Sequence, residues 1–177
     1  MANAVAVTPA EQVFVTNMRR PIDGSEPLSR LGGDVLVWSS ETDWYTVPDS
    51  KVFAANGLLV SDESKTLFVA SWAGNEVVKL TLPVDGSPAP VIRETVKLDF
   101  SPDNLRWGMD HNVLASGLHG SVADIGACVM AEGRCNIRVP SGVASIDANT
   151  LALRCSINTD INMGTVAMQV DEQLWLG

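Results

Sequence analysis

The chain has 177 residues, 46% of them apolar, and a formal net charge of −9 with an isoelectric point near 4.5. That is enough apolar content for one ordinary core, so a single domain over residues 1–177 is predicted. No Lys/Arg stripe offers a surface for a phosphate backbone, which argues against a nucleic-acid partner, and no apolar run approaches the roughly 20 residues of a membrane helix. No basic segment precedes the first apolar residues, so no signal peptide is read at the start.

Helix signals are poor along the chain. Val, Thr and Trp are frequent, and Gly, Pro, Asp and Ser interrupt them at short intervals, which predicts an all-β fold of short strands. The first strand pair is NAVAVTPAEQVFVTN (3–17), led by Asn3; GGDVLVWSS (32–40) and DWYTVP (43–48) supply two more strands. ANGLLVSDESKTLFVA (55–70), led by Asn56, repeats the pair, with Asp62-Glu63-Ser64-Lys65 as its hairpin turn, and EVVKLTLP (76–83) and ETVKLDF (94–100) follow. DNLRWGMDHNVLASG (103–117), led by Asn104, opens a third unit completed by GVASID (142–147) and LALRCSI (151–157). GTVAMQVDEQLWLG (164–177) is a fourth pair that lacks the asparagine.

The leads at 3, 56, 104 and 164 are 53, 48 and 60 residues apart. Four strands at a period near fifty read as propeller blades. A partial β-propeller of about three and a half four-stranded blades is therefore predicted, with blades near 3–52, 53–102, 103–162 and 163–177. Such an arc leaves blade edges open, so the chain is expected either to be a piece of a longer protein or to self-associate through those edges. The Gly-His and Trp-Asp pairs of WD repeats do not occur. A two-layer sandwich would not explain the periodic asparagines.

In a propeller, equivalent starts of the innermost strands point at one spot on the axis. Asn3, Asn56 and Asn104, with Asp103 beside the last, then form a set of hard oxygen donors suited to Ca²⁺ rather than zinc or copper. The alternative is local: Asn56-Gly57 and Pro102-Asp103-Asn104 are also turn-like sequences. Recurrence at one point of three units favours the shared site. His119 follows the second strand of its blade and so lies near the same end, where it would contact substrate or shuttle a proton; the alternative is a surface loop histidine. His111 falls at the far end. Trp72 is the pocket-wall candidate, and most of the five tryptophans are expected to fill gaps between blades. Cys128 and Cys135 sit in a Gly-bearing loop and either close a small disulfide, pointing to an exported or periplasmic protein, or remain thiols like Cys155.

The segments at Asn3, at 53–72 and at LDFSPDNLRW (98–107), with the closing Gly164–Ala167 and Leu174–Gly177 pair, resemble the calcium-dependent six-bladed propellers of the gluconolactonase/SMP-30-like superfamily. Their spacing is closest to the paraoxonase/arylesterase branch. The resemblance implies that Asn3, Asn56, Asp103 and Asn104 hold a catalytic Ca²⁺ and that Asp103 serves as base. It also matches His119 to a pocket-lining histidine. The family adds a glutamate from a first blade that has no counterpart here, and Met18-Arg19-Arg20 stands where paraoxonases carry a histidine. The implied function is Ca²⁺-dependent hydrolysis of small-molecule lactones or aryl esters, weak or absent in this chain alone. The rivals are a non-catalytic calcium-binding scaffold and a strictosidine-synthase-like condensing enzyme, the latter disfavoured by the four Asn/Asp positions. No G-x-S-x-G or H-E-x-x-H occurs to support an acyl-serine or zinc route.

Overall fold

The computed structural model describes residues 1–18, 32–61, 65–83, 90–131 and 136–177. The described residues form three four-stranded antiparallel meanders and one strand pair, each read outward from its first strand. The first sheet is β1 (Ala2–Val7), β2 (Val13–Met18), β3 (Gly32–Ser39) and β4 (Thr42–Thr46), with the two-residue β5 (Val52–Phe53) pairing β3. The second is β6 (Ala55–Val60), β7 (Thr66–Ser71), β8 (Glu76–Thr81) and β9 (Ile92–Lys97). The third is β10 (Ser101–Trp107), β11 (Asn112–Leu118), β12 (Pro140–Asp147) and β13 (Leu153–Asn162). The pair is β14 (Ala167–Val170) with β15 (Gln173–Leu176). This is a partial β-propeller of about three and a half blades, as the period predicted.

Sequence order within each blade follows from short connections between alternating strands. In β2, Phe14, Thr16 and Met18 are buried while Val13, Val15 and Asn17 are half-exposed, the two-residue alternation of a strand with one face on a core. Between the first two sheets, Phe14, Val35 and Val37 pack with Leu58, Leu67, Val69, Val78 and Leu80. Between the second and third, Phe68, Ala70 and Val77 pack with Phe100, Leu105, Val113, Ala144 and Ile146. Each blade is thus stabilised by its neighbour's inner face, and a lone blade would have no core.

Polar ties reinforce the two seams. Arg93 of β9 donates through Nη1 to the carbonyls of Asp49 and Lys51 at 2.7 and 3.0 Å. Lys79 of β8, largely buried, donates to the Asn149 carbonyl at 2.6 Å in the turn that joins β12 to β13. That turn is held by Asp147, whose carboxylate bonds Arg154 and accepts from the Thr150 and Asn149 amides, which keeps it far below the usual carboxylate range.

Two expectations are corrected. The stretch read as a Gly-bearing loop contains a helix, α1 (Val122–Met130), begun by Ser121, whose Oγ accepts from the Asp124 amide at 3.1 Å. Its Ile125 and Cys128 complete a third cluster with Met18, Ala54, Trp72, Leu118 and Val139, at the strand ends that close β2, β7 and β11. Cys128 is disulfide-bonded and Cys155 is free and exposed; Cys135 lies outside the described residues. The tryptophans are not mainly gap fillers. Trp44, Trp107 and Trp175 are exposed, although the Trp107 ring still meets Phe68 edge-on at 5.7 Å across a seam. The turn at Asp62-Glu63-Ser64 lies outside the described residues.

Candidate metal centre

One irregularity recurs at the same register of every inner strand. β1 pairs Ala2 with Asn17 and Val5 with Val15, so three steps on β1 oppose two on β2. The same slip separates Ala55/Ser71 from Leu58/Val69 in the second sheet and Pro102/Gly117 from Leu105/Ala115 in the third. In the fourth, the Thr165 and Val166 amides both donate to the Gly177 carbonyl, at 2.8 and 2.9 Å. Each inner strand therefore carries a one-residue β-bulge, the device that bends a strand and re-aims a side chain.

The bulges fix which residues correspond. Asn3, Asn56, Asp103 and Thr165 occupy the first bulge position; Ala4, Gly57, Asn104 and Val166 the second. Spacing alone aligns Asn104 with Asn56, and the register corrects this: Asp103 is the equivalent, and Asn104 is its companion. The turn reading of Asn56-Gly57 and of Pro102-Asp103-Asn104 also falls, because both lie within strands β6 and β10.

Successive bulges touch. A Cβ added at Gly57 would stand 2.4 Å from the Asp103 carbonyl oxygen and 2.7 Å from the Leu105 amide, so the second and third inner strands run backbone to backbone. Thr16 Oγ1 donates to the Asn56 carbonyl at 2.6 Å, joining the first sheet to the second. At the equivalent place on β11, Ser116 Oγ donates to the Thr165 carbonyl at 2.9 Å, joining the third to the fourth. Thr16 is fully buried, so Thr16→Val is expected to destabilise the protein by about 1 to 3 kcal/mol, leaving the Asn56 carbonyl short of a donor. Urea unfolding measures this; an unchanged midpoint would show the staple to be dispensable.

The side chains form a short chain of bonds. Asn56 hydrogen-bonds the Asp103 carboxylate. Asn104 Nδ2 donates to Asp103 Oδ1 at 3.0 Å and to the Thr165 carbonyl at 3.0 Å. Burial pushes the Asp103 carboxyl up to about 6, the Asn56 hydrogen bond only partly opposing it. Asn56 is 5% exposed and its Oδ1 is buried with no hydrogen-bond partner among the described residues. An orphaned buried acceptor is costly, and a cation is one of the few species that would satisfy it beside a carboxylate. Both N–H groups of Asn104 are spent on Asp103 and Thr165, and the Asn56 side chain meets Asp103, which leaves the side-chain oxygens as the donor atoms toward a cation. Among the described residues no group of three His, Cys, Asp or Glu side chains gathers to hold a metal, here or elsewhere, so any cation at this site would rest on amide oxygens and one carboxylate. The donors thus fit a hard, oxygen-seeking cation.

Asn3 takes the ring position beside Asn56, with its side chain exposed. His119 lies at the bulge-bearing end but over the outer strands. A ring nitrogen is 2.6 Å from Asn158 Oδ1 on β13, the ring packs against Phe100 at 5.4 Å, and its Nε2 is within reach of the Gly142 position. Trp72 is buried in the cluster beneath α1. His111 is exposed in the short turn Met109–His111 at the opposite end. Sequence reasoning missed Thr165, Thr16 and Ser116. A hydroxyl at the same point of two second strands was readable only once the register was known.

No protein-family model matches the chain, and no curated protein matches it. Solved structures do. A luciferin-regenerating enzyme aligns over 94% of this chain and 48% of its own, at 14% identity and a TM-score of 0.63. A gluconolactonase from Xanthomonas campestris aligns over 99% of this chain and 53% of its own, at 16% identity and a TM-score of 0.62. A hypothetical selenium-binding protein from Sulfolobus tokodaii aligns over 99% and 44%, at 12% identity and a TM-score of 0.54. The chain spans about half the length of the structures it matches. At these identities the likeness is one of fold alone.

Proposed function

We propose that the protein is a lactonase-type hydrolase whose bulged inner strands hold a Ca²⁺ ion through Asn3, Asn56, Asp103 and Asn104. The observation that carries the reading is the Asn56 Oδ1, buried and unpaired beside a carboxylate whose proton affinity burial has raised. The gluconolactonase among the structural neighbours supports a cyclic ester as the substrate class, with aryl esters as the finer alternative.

A bound Ca²⁺ would supply Lewis-acid polarisation of a substrate carbonyl. The chain's own residues supply the rest. Asn56 and Asn104 both hydrogen-bond the Asp103 carboxylate, which restrains its orientation. Asp103 is the one carboxylate of the set and would accept the proton of an attacking water; burial raises its carboxyl to about 6 in the metal-free site, and a bound cation would lower it again. The proton is then returned to the departing alkoxide, leaving a hydroxy acid. Asp103 has no histidine relay in contact, because the His119 ring is engaged with Asn158. That engagement favours the second reading, a cation-binding propeller scaffold without turnover, and is why catalysis by this chain is expected to be slow.

Titration with Ca²⁺ followed by lactone turnover separates the readings. Saturable binding with hydrolysis that is abolished by chelator supports the hydrolase. Binding without hydrolysis at any pH from 6 to 9 leaves the scaffold, and no binding removes both.

A further inference from the structure

The arc of blades has two ends, and both present apolar faces. On the first sheet, Ala4, Ala6, Phe14, Val35 and Val37 turn toward the second blade. The opposite face carries Val5, Val15 and Leu36 in one register row and Val7, Val13 and Trp38 in the next. On the last strand pair, Ala167 is buried toward the third sheet, while Met168, Trp175 and Val170 are exposed on the far side, Met168 directly opposite Trp175. Contiguous apolar faces of this kind mark interaction surfaces.

The bulge register shows what these residues would do beside another blade. Val5 is equivalent to Leu58 and Leu105, and Val7 to Val60 and Trp107. Leu58 and Leu105 are buried against the preceding blade, whereas Val5 is 62% exposed. By the same register Trp175 is equivalent to Phe14 and Phe68, since each stands opposite the same position of its inner strand. Phe14 and Phe68 are 1% exposed, packed on Leu58 and Leu105 of the following blade; Trp175 is 59% exposed. Each end of the arc therefore carries the half of a blade seam that the other end lacks.

We infer that the occupant of both faces is a second copy of this chain, docked head to tail so that two arcs close one ring. Trp175 of one copy packs on the partner's Val5 and Val7, as Phe68 packs on Leu105 and meets Trp107 edge-on within one chain. The two-fold axis repeats the contact on the other side, so both ends are covered. About three and a half blades in each arc make about seven in the ring, within the four to eight of closed propellers. The new seams are of the type the chain already builds between its own sheets, and the inference does not depend on lactone turnover.

The test is sedimentation equilibrium on the full chain, on Val7→Asp, on Trp175→Asp and on an equimolar mixture of the two variants, with circular dichroism to verify folding. Both positions are exposed in the single chain, so neither charge disturbs its core. The parent is expected at twice the 18.9 kDa of one chain. Each variant alone spoils both seams and should associate at least about 100-fold more weakly, the scale of losing a buried aromatic or apolar anchor. The mixture should associate more strongly than either variant, because one of its two seams is then native on both sides. A parent that stays at 18.9 kDa overturns the inference and leaves the faces to a different partner. Loss of association in Trp175→Asp but not in Val7→Asp overturns the head-to-tail contact, as does a mixture no stronger than its components. Assemblies that grow past two copies with concentration overturn the closed ring.

Discussion

Asp103→Asn is expected to lower Ca²⁺ affinity by at least about 100-fold while making the metal-free protein more stable at neutral pH. The first effect follows because Asp103 is the one carboxylate of the set, and loss of even an outer partner of a metal ligand costs about 10- to 100-fold. The second comes from proton linkage. The Asp103 carboxyl titrates near 6 in the fold, above its ordinary value near 3.8, because burial penalises its charge. A group whose folded pKa is raised binds protons more tightly when folded, so its stabilisation is complete below the unfolded value and is lost as pH rises through about 6. The loss is about 2 to 3 kcal/mol by pH 7.5, on the order of two pKa units. Urea unfolding in chelator from pH 4 to 8 should show the parent's stability falling relative to Asp103→Asn across that window. Saturating Ca²⁺ should remove the parent's disadvantage. A flat difference between the two proteins would mean that Asp103 is solvated and that its environment has been misread.

Gly57→Ala is expected to be the most damaging single methyl addition in the inner ring. The added Cβ meets backbone atoms of 103–105 at 2.4 to 3.0 Å, all in a neighbouring strand that cannot swing aside as a side chain can. Overpacking of this kind costs about 1 to 3 kcal/mol or more, and here it also pushes apart Asn56 and Asp103. The expected result is a loss near or above the top of that range, with cation affinity falling in parallel. Gly32→Ala is the control, since nothing lies within 4 Å of the position its Cβ would take; its stability should stay within about 0.5 kcal/mol of the parent. Equal effects for the two glycines would contradict the backbone-to-backbone seam.

Strand order and blade content were legible because alternation and turn residues are local properties. The expected strand at 32–40 is β3 over 32–39, and that at 76–83 is β8 over 76–81. The set Asn56, Asp103 and Asn104 was legible from recurrence, and the fold brings these three into hydrogen-bonding contact. Which residue answers to which was not legible. A bulge shifts register by one residue and leaves no mark in composition, so spacing alone pairs Asn104 with Asn56 and gives no sign of Thr165. Helix α1 was missed because VADIGACVM is short and contains glycine, although Ser121 followed three residues later by Asp124 is a start signal that sequence reading recognises. Exposure of Trp44 and Trp175 was hidden for another reason: alternation says that a strand has two faces, not which of them a neighbouring blade covers.

The central claim is that bulged inner strands of successive blades aim their oxygens at one cation. A crystal structure of the protein grown in saturating CaCl₂ tests it most directly. The account predicts a single ion with Asn56 Oδ1 and an Asp103 carboxylate oxygen among its ligands, at about 2.3 to 2.6 Å. An ion bound elsewhere on the acidic surface, with Asn56 Oδ1 still buried and unpaired, would contradict it.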